Sequence, residues 1–403
     1  MSPAEMSYTK MKTNRTKFLI LAIAVLGSIL VAPSIAAGPN CTAADGNYIV
    51  TFAKEINSKS EMKSAPGKSI NPKFEYANVL NGFAATLSAE QVCAFQKRPN
   101  IESIELDGDV TTSGAITQSM STGPNVWGLD RIDESSRPLD SLYASSNDGT
   151  GATVYIVDTG VNNISSEFGS RYSTNGFSTV PNTSSFADGK GHGTHVAATA
   201  AGANYGVAKN AYVVSVRVLD SSGSGSWSGV VAGLDWIAGS ANTNSKTKAV
   251  VNMSLGGKKN VAIDTAVNNI IRAGFTVVVA AGNERADACR TSPGGVLAAI
   301  TVAASDIGDV FASFSNKGDC VDIIAPGVNI LSIWLNSVAV ASGTSMASPH
   351  VAGVAAIYLG ANTGTTPSSV WNAISAASSL GKVTGVPIKT FNKLLCIVGG
   401  TKP

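Results

Sequence analysis

Charge and histidine are scarce in this chain. Only 14% of its 403 residues are charged, against roughly 25% in an average soluble protein. The 29 Lys and Arg nearly balance the 27 Asp and Glu, leaving a formal charge of +2. Without a long basic block there is no electrostatic basis for gripping a phosphate backbone, which argues against a nucleic-acid partner. Cysteine is scarce as well. Five residues cannot staple a disulfide-dense scaffold, and the lack of any Cys-x-x-Cys pair excludes a zinc ribbon. Beyond the first forty residues no apolar run reaches the roughly 20 residues that span a bilayer, so no stable membrane insertion is expected.

What is present is 44% hydrophobic residues and 41 glycines, with abundant Ser, Thr and Asn. That suffices for two or three folding units under a neutral, hydroxyl-rich surface. Phe18 to Val31 is strongly apolar, follows Lys10, Lys12, Arg15 and Lys17, and precedes the small residues Ser34, Ala36 and Ala37. Too short to span, it makes residues 1–37 read as a secretory signal peptide, cut after Ala36 or Ala37. Outside the cell disulfides become possible, and the Asn-x-Ser/Thr triplets at Asn163, Asn182 and Asn252 become potential glycan acceptors in a eukaryotic host.

From Tyr48 to Val110 the pattern is that of a small α+β unit, with strands at Tyr48 to Phe52, Phe83 to Leu87 and Ile101 to Glu105 and a helix at Ala89 to Gln96. Residues 111–125 have no apolar period and many turn formers, which predicts an exposed linker open to proteolysis. Beyond Trp127, apolar β-branched runs (Val154 to Val157, Tyr212 to Val218, Ala249 to Met253, Phe275 to Ala280) alternate with helical stretches (His192 to Ala203, Ser226 to Ala238, Val261 to Ala273). Such alternation predicts an α/β fold, a mainly parallel sheet covered by helices on both faces. In such sheets ligands bind beyond the carboxyl ends of the strands.

Four motifs stand there. Asp158 closes the first run before Thr159-Gly160. His192 and His195 open a helix in Gly191-His192-Gly193-Thr194-His195; a zinc pair is conceivable at this spacing, but no third ligand follows nearby, whereas the flanking glycines suit His192 as a general base. Asn283, after Ala280-Ala281-Gly282, can donate its amide N–H to developing negative charge. Ser345 starts a helix, where free backbone N–H groups and the positive dipole end can stabilise an oxyanion beside its hydroxyl. Each motif alone reads more simply as a turn, a loop or a cap. Together they supply the parts of an acyl-transfer apparatus.

In their order, Asp-Thr-Gly, Gly-His-Gly-Thr-His, Ala-Ala-Gly-Asn and Gly-Thr-Ser-Met-Ala-Ser-Pro-His resemble the subtilisin-like serine proteases, peptidase family S8, whose triad runs Asp, His, Ser. Trp127-Gly128-Leu129 and Ala312-Ser313-Phe314-Ser315-Asn316 resemble most the proteinase K and aqualysin branch. The resemblance implies a three-layer catalytic domain at 119–403, preceded by an inhibitory propeptide at 38–118 of small, ferredoxin-like α+β form. It makes Ser345 the nucleophile, His192 the base, Asp158 its orienting group, and Asn283 with the Ser345 N–H the oxyanion hole. It assigns Ser254, Leu255, Gly256, Ala280, Ala281 and Gly282 to the primary pocket, and Gly223, Ser224, Gly225, Ser226 and Trp227 to an edge that pairs with extended substrate. With Ala and Gly walls and no charge expected at the pocket, apolar or aromatic side chains should be preferred. A Cys289–Cys320 disulfide is implied, with Cys41 and Cys93 in the propeptide and Cys396 unpaired or joined between molecules. A structural calcium at Asp322 with the carbonyls of Leu297 and Ala299 is implied too, and no catalytic cofactor. The expected partners are protein or peptide substrates and the chain's own propeptide, in a monomer that cuts itself between about Ser113 and Gly123.

Overall fold

The computed structural model describes residues 41–113, 115–119, 126–240, 246 and 248–397, without the side chains of 115–119 and 240. The expected signal peptide lies outside the described residues.

Strands β1 (Gly46–Phe52), β2 (Phe74–Tyr76), β3 (Gly82–Leu87) and β4 (Ile101–Leu106) form an antiparallel sheet in the order β2-β3-β1-β4. Alternation divides its residues between two faces. Tyr48, Val50 and Phe52 pack with Phe83, Val92 and Phe95 against the helices Ser58–Lys63 and Ala89–Gln96. Ile49, Tyr76 and Ala84 instead join the core around the helices Trp227–Ser240 and Val261–Arg272. The expected strands and the helix at Ala89 are found with end shifts of one or two residues. The helix Ser58–Lys63 and β2 are too short to carry a visible period.

After β5 (Asp109–Thr112) and β6 (Ala115–Ser119) come β7 (Thr153–Asp158), β8 (Phe177–Ser178), β9 (Tyr212–Arg217), β10 (Ser224–Ser226), β11 (Ala249–Met253), β12 (Leu255–Lys258), β13 (Thr276–Ala280), β14 (Thr291–Ser292), β15 (Ile300–Ser305), β16 (Ile323–Pro326), β17 (Ile330–Trp334), β18 (Ser337–Ser342), β19 (Ser379–Leu380) and β20 (Lys393–Leu394). Nine of them form one sheet, β19-β20-β16-β15-β13-β11-β7-β9-β8, parallel except for the β19–β20 pair. Both faces are covered, as continuous apolar strands require. Val154 and Ile156 of β7 face the helices His192–Ala201 and Thr344–Ala361, while Tyr155 and Val157 face Trp227–Ser240 and Val261–Arg272. The sheet thus aims the carboxyl ends of β7, β11 and β13 toward the start of the His192 and Thr344 helices.

Of the expected exposed linker at 111–125, residues 114 and 120–125 lie outside the described residues, Thr111 is exposed as expected, and Ser113 is not. Val110 and Ser113 are buried, and β5 lies antiparallel between β10 and β12. Two waiting edges impose the strand on a Thr- and Ser-rich stretch that has no apolar pattern of its own.

Candidate active site

Asp158 ends β7 fully buried, and its Oδ1 lies 2.7 Å from His192 Nδ1. The same oxygen accepts the Thr159 amide at 2.7 Å. The His192 helix can begin here because Gly191 has φ of 108° and leaves room for Trp334, whose Nε1 would lie 2.2 Å from any Cβ at 191. Asp188 secures the turn by accepting from the amides of Lys190, Gly191 and Thr194 at 2.7–2.9 Å. It also takes the hydroxyls of Thr159 and Thr194. Trp334 meets His192 edge-on, with centroids 6.2 Å apart, and His195 at 6.0 Å. His192 Nε2 is buried without a hydrogen-bond partner.

Ser345 is the second residue of its helix and is fully buried. Its Oγ donates to Ser113 O and lies 3.1 Å from Ser254 O, while its amide donates to Ser113 O at 3.3 Å. Asn283 turns its Oδ1 to Thr344, accepting from the amide at 2.9 Å and the hydroxyl at 3.0 Å. That leaves Asn283 Nδ2 buried and without a partner. The Ser113 carbonyl oxygen, the Ser345 hydroxyl and N–H, and the Asn283 carboxamide on Thr344 thus stand together at the start of the helix Thr344–Ala361, while Asp158 and His192 form a second buried pair whose Nε2 has no partner.

The chain runs through this place as a strand. Upstream, Gly225 pairs with Val110 and Gly256 with Thr111. Thr112 donates to Gly223 O at 3.1 Å, and Ser113 to Ser254 O at 3.3 Å. Downstream, β6 pairs with β18, placing Ala115 opposite Ser342 and Ser119 opposite Val340. Trp227 pairs with the segment at the edge through its backbone and not through its ring. Its amide donates to Gly108 O at 3.0 Å, but its indole is buried beneath Gly108 and Gly257, because the helix starts at this residue and turns it inward. Beside Ser113 opens a cavity of about 360 Å³, walled by Gly256, Gly257, Ala280, Ala281 and Gly282. The expectation of an uncharged pocket does not hold, since Lys258, Glu284, Asp287 and Arg290 also line it. Three of these come from the loop after Asn283, which sequence alone could not fold back onto the pocket.

Comparison with known proteins gives the family of the chain. The subtilase family profile matches residues 149–388, and a peptidase inhibitor I9 profile matches residues 47–113. The chain belongs to the subtilase family. It is 46% identical over 328 residues to alkaline serine exoprotease A of Vibrio alginolyticus, covering 81% of this chain and 60% of that protein. It is 41% identical over 350 residues to a cuticle-degrading serine protease of Arthrobotrys oligospora, covering 84% and 82%. The crystal structure of a cold adapted subtilisin-like serine proteinase superposes with a TM-score of 0.65 at 48% identity, covering 68% of this chain and 98% of that one.

Of the other residues expected in this subtilase, Cys289 and Cys320 form a disulfide with Cα atoms 5.3 Å apart. Cys41 and Cys93 are each disulfide-bonded, and Cys396 is buried with its Sγ 4.0 Å from Glu134 O. Asn163 and Asn182 are exposed, but Asn252 is fully buried in β11, which removes it as a glycan acceptor. His195 Nε2 sits 3.1 Å from Ile330 O, and burial beside His192 lowers its pKa to about 3. His350 Nδ1 sits 2.8 Å from Met346 O, and burial lowers its pKa to about 4. His192 and His195 are thus turned to different partners, and among the described residues no group of three His, Cys, Asp or Glu could hold a metal. Calcium needs six to eight oxygens. Asp322 commits Oδ2 to the Thr301 amide at 3.1 Å, so with two carbonyls it falls well short of a complete shell. Asp188 and Trp334 escaped the sequence reading, while Ser113 entered it only as one bound of the expected cut and Asn252 only as a glycan acceptor. Only Asp188, an acidic residue just ahead of a helix start, carried a signal that could have found it.

Proposed function

We propose that this protein is a secreted serine endopeptidase, made as a zymogen that cuts its own Ser113–Gly114 bond. The observation that carries this reading is the Ser113 carbonyl, which receives both the Ser345 amide and the Ser345 hydroxyl. The inhibitor profile also ends at residue 113. The inhibitory segment would then be 38–113 rather than 38–118, and the catalytic domain would begin at Gly114.

In the reaction, Ser345 Oγ turns from the carbonyl oxygen to the carbonyl carbon as its proton passes to His192 Nε2. Asp158 holds the opposite ring nitrogen, fixing the tautomer and stabilising the imidazolium that forms. The oxygen that gains charge stays on the Ser345 N–H and gains Asn283 Nδ2. His192 then returns the proton to the departing amine, and water, activated by the same imidazole, releases the acyl group from Ser345. The Gly and Ala walls favour an apolar or aromatic side chain before the cut, and two charges of each sign at the pocket give no net selection for either. A calcium at Asp322 would need water to complete its shell, and no step runs through it.

The test is the Ser345→Ala chain. It should accumulate as uncut precursor, while the parent yields a fragment whose N-terminus is Gly114. Normal cutting of Ser345→Ala would show that another protease does the work.

A further inference from the structure

We infer that Asn252 is a positioning residue for the reaction proposed above, on which the inference rests. Its carboxamide locks the wall that grips the residue before the cut to the start of the nucleophile helix. Asn is a poor strand former, and an amide taken out of water without partners costs several kcal/mol. Yet Asn252 lies in β11 among Ala249, Val250, Val251 and Met253, all fully buried. A purely apolar strand would pack as well, so the amide needs another reason.

Its bonds supply one. Asn252 Nδ2 donates to Ser254 Oγ at 3.0 Å, and its Oδ1 accepts from Ser348 Oγ at 2.7 Å. Ser254 Oγ donates onward to Ser345 O at 2.9 Å. The Ser254 carbonyl meets Ser345 Oγ at 3.1 Å and the Ser113 amide at 3.3 Å. Ser254 therefore touches the nucleophile twice and the residue being cut once. Asn252 fixes the Ser254 rotamer from one end and ties it to Ser348, three residues beyond the nucleophile, from the other. All four side chains are wholly buried, so water cannot replace a missing bond cheaply. This registers the attacking oxygen against the bound strand, where small displacements are expensive in rate.

The experiment expresses turnover of an unfolded protein substrate per serine titrated with a fluorophosphonate, which removes any misfolded fraction. Asn252→Ala should lower kcat per titrated site about fivefold to tenfold, as the loss of one or two buried hydrogen bonds implies, with KM changed less. Ser348→Ala, the milder variant, should lower kcat about threefold and decides the matter if Asn252→Ala does not fold. Asn252→Ala combined with Ser254→Ala should be no slower than the worse single variant, because both break one relay. Unchanged kcat per titrated site in Asn252→Ala and Ser348→Ala, with only thermal stability reduced, would overturn the inference. So would losses that multiply in the double variant. A parent that titrates no serine would overturn the protease reading first.

Discussion

The two halves of the strand that crosses the site are held very differently. Upstream of Ser113, β5 is bonded along both edges, to β10 and to β12, and behind it stands a folded four-stranded unit. That unit is anchored by carboxylates at the ends of backbone segments. Asp235 accepts from the amides of Ala77, Asn78 and Val79 at 2.7–3.2 Å. Asp107 takes the Ser228 amide at 2.8 Å, and Glu105 the Val261 amide at 2.8 Å. Downstream, among the described residues, β6 pairs with β18 alone, with an irregular register between its two paired positions. At about 1 kcal/mol for each net hydrogen bond, one cut would leave a tightly held fragment and a loosely held one. Under the proposed self-cleavage, this asymmetry would keep the inhibitory segment in place while the downstream side clears for incoming substrate.

The largest effect comes from disabling the cut, which leaves both halves joined. Asn283→Leu removes the unpartnered Nδ2 while nearly keeping volume. It should lower kcat about 10²–10³-fold, a magnitude that comes from another subtilase, and slow precursor conversion in parallel. Equal conversion rates in timed electrophoresis would remove Asn283 from the oxyanion site.

This part of the molecule was legible in the sequence because each candidate group stands where a strand or helix ends. Asp158, His192, Asn283 and Ser345 are read from local signals, and the structure pairs Asp158 with His192 and Asn283 with Thr344, the neighbour of Ser345. The alternation of β-branched runs and helical stretches likewise located β7, β9, β11 and β13 to within two residues. What was not legible depends on partners remote in sequence. β5 and β6 are made strands by the edges they meet. The charged side of the pocket depends on how the loop after Asn283 folds back. Asn252 looked like a glycan acceptor because nothing in its triplet reveals that a buried sheet encloses it.

A second prediction sharpens the comparison by loosening only the upstream half. Asp235→Ala deletes an acceptor that takes three backbone amides and Asn78 Nδ2 at 3.0 Å. It should weaken inhibition by the separately added 38–113 segment about tenfold to a hundredfold, at 1.5–3 kcal/mol for bonds to a charged group. Turnover of short peptides should be unchanged, because the side-chain bonds of Asp235 go to residues 77–79 of the inhibitory segment. An inhibition constant equal to that of the parent would mean that β5 alone carries the affinity.

Glu105 offers a smaller, pH-dependent handle. Burial against the catalytic domain raises its pKa in the complex, partly offset by the amides of Val261 and Ala262, with Asp264 adding to the rise. A carboxyl raised on binding takes up a proton in the complex, so its contribution is present below its free-state pKa and is lost as pH rises through the bound value. Inhibition by the segment should therefore tighten modestly as pH falls across the carboxylate range. Glu105→Gln should flatten that part of the profile, and an unchanged slope would assign the dependence to other groups.

The smallest effect tests the downstream half. If β18 receives substrate as it receives β6, peptides sharing one sequence before the cut should improve as residues are added after it. The first gain should come at the second added residue, the position of Ala115 opposite Ser342, and another at the sixth, the position of Ser119 opposite Val340. The intervening residues face an irregular register and should add little. Each gain should be about twofold to fivefold in kcat/KM, the size of one net hydrogen bond less the cost of ordering a flexible tail. N-methylation of the backbone at the second position should cancel its gain only if that amide donates to β18. Gains at the downstream positions as large as those from residues placed along β5 would erase the asymmetry between the two halves.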